Sequence, residues 1–536
     1  MNPALNTKKR EEGKIFSPPL CLIISPMGAQ GKKILLVLHA HLPFVRHVEE
    51  NVYEENWLHE AVLECYLPLV LMLEGLAERG KKFRLTLSLS PTLMEMLADP
   101  LLKARTLRHM HTLAELLEKE VRRTAKDAAL NPLAKFYLGR TRRMMSVYEN
   151  ARGGLLPRIA ALREHVEVIT TAATHAYLPN LAPVPEAVNA QIRAGIGNYK
   201  KHFPGRDPKG FWLPECGYCE GLDAVLKSNG VEYFFLNTSG VPRENIYRPL
   251  RCASGAVAFA RDPLSAREVW CGQTGYPADP LYRDFYRDVG YELPMEYLHP
   301  HVTGFRVPTG IKYCRITGQN IGDKKIYIRQ EALRRAREHA LDFLKRKTEF
   351  FSPEKNPVLC APFDAELFGH WWFEGIDWLG FLFEGAAGGV EFAFPSECLD
   401  GCGENSLFVP GLSSWGAGGY SDTWLNEKNG WAAAEACRAA FRMRDFFMAM
   451  GGGPADMERL RKQALRELLL VQASDWPFLI QNGSAGHYPA KRLRKHLERF
   501  YRLFEMAGTG RIDGAEMDAI EREDAIFPEM DCGVFS

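Results

Sequence analysis

The 536-residue chain predicts an α/β fold, a parallel sheet curled into a closed or nearly closed barrel, followed by an α-helical C-terminal domain. Three observations carry this reading. From Lys33 onward, short apolar runs of strand type alternate with longer amphipathic runs of helical type, the pattern of right-handed β–α–β crossovers. His39, His41, His175, Glu215 and Asp364 each follow an apolar run, and five reactive side chains in one register suit the C-terminal rim of a barrel. After about Asn426 the strand pattern stops and helical periodicity takes over.

Taken in order, residues 1–30 mix a charged stretch with a short Pro-broken apolar piece and read as a disordered extension, with Met27 as an alternative start. Residues 34–38 form a strand that runs into His39-Ala40-His41. Residues 57–79 are helical with an interruption at Pro68, and 83–90 alternate as a strand up to Pro91. Residues 101–165, rich in Arg, Lys and Glu, read as long amphipathic helices inserted into a barrel spanning 31–425. Further strands fall at 166–174, 210–213, 231–236, 358–363 and 390–394, with a helix at 330–347. The C-terminal domain, 426–515, contains helices at 431–450, 456–472 and 490–507, leaving 516–536 as a tail.

Charge narrows the function. With 67 basic against 66 acidic residues there is no field to hold a polyanion, which argues against nucleic acid and anionic membrane as partners. No run approaches the ~18 apolar residues of a membrane span, so a cytoplasmic location follows. The 12 cysteines lie largely within apolar runs and read as reduced. Cys216 with Cys219, and Cys398 with Cys402, have metal or redox spacing but lack the surrounding pattern that either chemistry uses.

The chemistry concentrates on two acids. Glu215 ends Gly-Phe-Trp-Leu-Pro-Glu and Asp364 ends Val-Leu-Cys-Ala-Pro-Phe-Asp, each among apolar neighbours where an idle carboxylate is costly. Two acids at separate strand tips can flank one bond, one attacking and the other donating a proton. Glu366, two residues past Asp364, is placed to exchange roles with it or to orient a neighbour. His39, His41 and His175 admit two readings: hydrogen bonds to substrate hydroxyls, or, with Asp364, the metal site of a hydrolase or deacetylase. Trp415 and Trp424 lie in Gly-rich sequence and read as stacking platforms for sugar rings. The loop 473–478 offers Asp475 beside Trp476.

These motifs together resemble glycoside hydrolase family 57. The likeness rests on His39-Ala-His-Leu-Pro43, Ile169-Thr-Thr-Ala-Ala-Thr-His175, Trp212-Leu-Pro-Glu-Cys-Gly-Tyr218, Ala361-Pro-Phe-Asp-Ala-Glu-Leu-Phe-Gly-His-Trp-Trp372 and Ser413-Ser-Trp-Gly through Trp424-Leu-Asn426, and spans about residues 33–510. It implies an incomplete (β/α)7 barrel and a retaining mechanism without a cofactor. Glu215 is then the nucleophile and Asp364 the general acid/base, acting on α-1,4 links of an α-glucan and transferring the chain to a 6-hydroxyl to form an α-1,6 branch. His39, His41, Trp57, His175, Trp212, Trp270, Trp415, Trp424 and Asp475 are implied as substrate-binding, and Tyr247 as a loop tyrosine that screens the intermediate from water. The segment 237–249 is shorter than the matching loop of branch-forming members, which keeps an α-amylase or a 4-α-glucanotransferase of the same family open as alternatives.

Overall fold

The computed structural model describes residues 32–50, 52–150, 154–318, 322–350, 357–386, 390–402, 407–449 and 455–535. The extension expected at 1–30 lies outside them. Nine strands form one sheet: β1 (Lys32–Ala40), β2 (Leu85–Leu89), β3 (Val166–Thr171), β4 (Gly210–Trp212), β5 (Tyr233–Leu236), β6 (Leu250–Arg251), β7 (Val257–Ala260), β8 (Val358–Asp364) and β9 (Val390–Phe392). Their order is β6-β7-β5-β4-β3-β2-β1-β8, and β9 pairs with the first residues of β1. Apart from the antiparallel β6–β7 hairpin, every pairing is parallel.

The sheet curls until its ends meet. A single parallel bridge, Arg261 to Cys360, joins the end of β7 to the middle of β8, and the Asp262 N–H donates to the Cys360 carbonyl at 2.7 Å. Seven parallel strands (β1, β2, β3, β4, β5, β7 and β8) thus enclose an incomplete (β/α)7 barrel. Strands buried on both faces have near-continuous apolar sequences, and Ile34-Leu-Leu-Val-Leu38 is one such run. Its alternate residues Leu35 and Val37 fill the interior with Tyr233, Phe235, Val257 and Phe259, while Leu36 and Leu38 pack outward against helices.

The same alternation aims the rim. Continuing the inward row of β1 past Val37 brings His39 to the top of the barrel. His39 is in register with Ser88 of β2 on one side and Asp364 of β8 on the other. Three polar side chains therefore share one level of the wall because the strands are parallel and in step.

Between β2 and β3 stand the helices Pro100–Arg123, Leu130–Asn150 and Leu155–Ala161, where the helical insertion was expected. Pro68 interrupts less than its chemistry suggests. Residues Val62–Tyr66 adopt a π-helical turn, and Pro68 sits at the start of the continuing helix Leu67–Glu78, where an absent N–H costs little. The strand expected over 166–174 ends at Thr171, since the chain must turn to present His175, whose φ is 55°. Strands β6 and β7 and the helix Pro263–Trp270 have no counterpart in the sequence reading.

Among the described residues the C-terminal region is built of helices, from Gly430–Ala449 to Gly514–Glu523. The stretch set apart as a tail is folded: Met517, Ile520, Ile526, Phe527 and Phe535 are buried in the same core as the barrel helices.

Candidate active site

Above the barrel opens a cavity of about 1070 Å³. Glu215 reaches it from an elbow after β4, where Pro214 starts a 3-10 turn and both Glu215 (φ 62°) and Cys216 (φ 49°) take the left-handed conformation. Non-glycine residues seldom hold that conformation, and they cluster at functional sites. The elbow is fixed from outside: the Trp415 N–H donates to the Glu215 carbonyl at 2.9 Å.

The Glu215 carboxylate receives two further donors. Trp415 Nε1 donates to Oε2 at 2.7 Å, and Ser474 Oγ to Oε1 at 3.2 Å. Burial drives its pKa up, and the two hydrogen bonds with nearby His41 resist that rise; the balance lies at about 7. Asp364, last residue of β8, has no comparable donors among the described residues. Burial first, then the negative charges of Glu366 and Glu215, hold its proton well above the carboxylate range, with Arg261 working against them. The pair is thus differentiated by its surroundings, Glu215 by two donors and Asp364 by neighbouring negative charge.

Glu366 accepts from the Tyr66 hydroxyl and from the His41 backbone N–H (3.2 Å), so it braces the β1 and β8 loops against each other. His41 Nε2 bonds both oxygens of Asp475 at 3.1 Å. Burial opposes a charge on this ring, but Asp475, Glu215 and Glu366 together raise its pKa.

His39 and His175 behave oppositely. Burial, followed by repulsion from neighbouring histidines, keeps both well below the usual imidazole range, so both are neutral. The imidazoles of His39, His41 and His175 stack, with centroids 4.0 Å apart for His41–His175 and 4.8 Å for His39–His175. Their nitrogens do not converge on an ion. His39 Nε2 and His175 Nε2 lie 2.9 Å apart and share a proton, one ring donating its N–H to the other's lone pair. The donor set therefore fits neither a zinc tetrahedron nor the hydrolase alternative built on it.

The sequence pattern described as glycosyl hydrolase family 57 matches residues 35–345. The chain belongs to that family. A second pattern, "1,4-alpha-glucan branching enzyme, C-terminal", matches residues 435–535 of this family 57 protein. A 1,4-α-glucan branching enzyme of Thermococcus kodakarensis is 32% identical over 550 residues, covering 94% of this chain and 78% of that protein. Among solved structures, an α-amylase from Thermotoga maritima shares 39% identity at a TM-score of 0.86, covering 94% of this chain and 99% of that one. A branching enzyme of Pyrococcus horikoshii shares 33% identity at a TM-score of 0.84, covering 94% and 97%.

Of the residues expected in the site, His39, His41, Trp57, His175, Glu215, Trp270, Asp364, Trp415, Trp424 and Asp475 all line the family 57 cavity. Several expectations need correction. Trp212 is fully buried, stacked on His39 at 4.8 Å, and supports the histidines from beneath instead of meeting substrate. Trp424 is 1% exposed with Tyr177 stacked on it at 4.8 Å, so it lends the wall an edge and no open platform. Tyr247 does not reach the cavity. Its ring packs on Phe350, its hydroxyl donates to Asp262, and its carbonyl accepts from Val358 at the start of β8, the end opposite Asp364.

Other residues take the solvent-facing positions. Trp371, 55% exposed and stacked on Phe285 at 4.4 Å, and Tyr286, 74% exposed, line the cavity from beside the long 271–328 connection. Trp371 belongs to the motif around Asp364 and was available to the sequence reading. Tyr286 sits in a stretch with little periodic signal. The same wall carries Glu64, which accepts from His370 at 2.7 Å and is held at a pKa of about 2 because that bond and Arg283 outweigh burial.

Proposed function

We propose that this chain is a retaining α-glucan-acting enzyme that cleaves α-1,4 links and transfers the released chain to a 6-hydroxyl, forming α-1,6 branches. One observation carries the proposal: two carboxyl groups in different surroundings face one large cavity, completed by Ser474 and Asp475 from the region matching branching-enzyme C-termini. Glu215 attacks the anomeric carbon while Asp364 gives its proton to the departing glycosidic oxygen, leaving a glycosyl ester on Glu215. Asp364, now ionised, takes the proton of an incoming 6-hydroxyl, whose oxygen displaces Glu215 with net retention.

The substrate is an α-glucan chain. Trp57, Trp270 and Trp415 line the cavity, and its volume suits several sugar units. The 11 cysteines among the described residues are all unpaired, which fits a reducing, cytoplasmic setting, and no helix there is long and apolar enough to cross a membrane.

Hydrolysis is the second reading, favoured by the 39% identity to the Thermotoga maritima α-amylase. Incubation with amylose, followed by reducing-end assay before and after enzymatic debranching, separates the two. Ends that emerge on debranching support transfer, whereas equal counts in both samples assign hydrolysis. Activity should survive exhaustive chelation, since the histidine nitrogens bond to one another and to Ser474, Ser88 and Asp475.

A further inference from the structure

We propose that Ser88, His39, His175 and Ser474 form a neutral hydrogen-bonded relay that polarises toward Glu215 and positions its carboxylate for attack. The links are continuous. Ser88 Oγ lies 2.9 Å from His39 Nδ1, His39 Nε2 lies 2.9 Å from His175 Nε2, and His175 Nδ1 lies 2.9 Å from Ser474 Oγ. Ser474 Oγ then meets Glu215 Oε1 at 3.2 Å. His175 itself is 3.7 Å from that oxygen, beyond hydrogen-bond range, so the serine hydroxyl spans the gap.

One proton occupies each link, and the ends set the direction. An ionised Glu215 only accepts, so Ser474 donates to it and must accept from His175 Nδ1–H. A neutral His175 then offers a lone pair at Nε2, which obliges His39 to carry its proton on Nε2. His39 Nδ1 is left as the acceptor for the Ser88 hydroxyl. Four aligned donors point at one carboxylate oxygen, and bonds in such chains reinforce one another.

This arrangement also reassigns the histidines. All four ring nitrogens of His39 and His175 are occupied, so neither is free to bond a sugar hydroxyl as the sequence reading expected. His41 differs: its Nε2 bonds Asp475, and its Nδ1 is buried without a partner among the described residues. A donor aimed at Oε1 stabilises negative charge there, so the relay favours the ionised form. The other charged groups facing Glu215 are Asp475, His41 and Asp364, with Arg261 5.3 Å above the Trp415 ring.

The relay rests on the reading of Glu215 as attacking group, so the test begins with Glu215→Gln; retained turnover there overturns both. With that variant inactive, kcat/KM for amylose is measured against pH for full-length Ser474→Ala, Ser474→Thr and Ser88→Ala. In Ser474→Ala the acid limb should rise by roughly one pH unit, which makes the rate one unit below the wild-type limb fall about tenfold more than the plateau does. Ser88→Ala should move the limb the same way by less, and Ser474→Thr should return it. Alanine profiles that superimpose on wild type after scaling overturn the relay and leave Glu215 as nucleophile intact. Nitrogen-15 NMR of histidine-labelled protein gives an independent readout. Above the limb, His175 should carry its proton on Nδ1 and His39 on Nε2, and any other pair of tautomers refutes the relay.

Discussion

The roles proposed for Glu215 and Asp364 rest on their surroundings and not on residue type. Glu215 is given two side-chain donors, Trp415 and Ser474, whereas Asp364 is given a neighbouring carboxyl, Glu366. Glu215→Gln and Asp364→Asn should each lower turnover at least a thousandfold, on the order of what loss of a central catalytic group costs. The same substitutions should stabilise the fold. A carboxyl whose folded pKa lies near 7 against 4.5 unfolded binds a proton more tightly when folded, so wild-type stability declines between those values as pH rises. Glu215→Gln escapes that decline. Urea unfolding should find it more stable than wild type by about 1–3 kcal/mol at pH 8, with the difference vanishing near pH 4. Sequence made the two acids legible, because each closes an apolar run. It could not reveal that His39 and His175 face one another, since 136 positions separate them and the contact exists through sheet closure.

At the level of elements, strand ends were readable and strand partners were not. Val358 to Asp364 announces itself by hydrophobicity, while β6 and β7 are short and gain order from the hairpin between them. The π-helical turn before Pro68 likewise reflects a local choice among hydrogen-bond patterns that periodicity does not encode. Close approach of elements is legible only in three dimensions. The helix Pro185–His202 lies so near β3 that a Cβ on Gly195 would fall 2.2 Å from the Thr171 carbonyl oxygen. Gly195→Ala should therefore push the helix away from the strand that leads to His175. A loss of about 1–3 kcal/mol in chemical denaturation is expected, with a parallel fall in activity. Gly217 has a similar reason: a Cβ there would meet the Tyr177 ring at 2.4 Å, and Tyr177 is the residue that covers Trp424.

For the whole molecule, the helical C-terminal region is part of the site and not an appendage. Its Ser474 and Asp475 complete the bonding of Glu215, His175 and His41, and Arg492 reaches back to the Phe44 carbonyl at 3.2 Å. A chain ending before residue 430 should expose the apolar face that helices such as Ala455–Val471 cover, and should show no glucan turnover even if it remains in solution. Full-length protein should lose near-UV circular dichroism and activity in a single thermal transition; two well-separated transitions would mean the regions fold independently. The length and the strand–helix alternation were enough to expect a barrel with a helical addition. That the addition supplies active-site atoms follows from tertiary packing, which a linear pattern does not contain.

The lone bridge between β7 and β8 links architecture to reactivity. The residue that makes it, Arg261, is also the cation that restrains Asp364's proton affinity and rides above the indole bonded to Glu215. The backbone of that residue is the latch and its side chain the tuning element. Warming that opens the seam withdraws Arg261 from Asp364 and from the Trp415 ring, so the enzyme's chemistry fails in the same event that parts its wall.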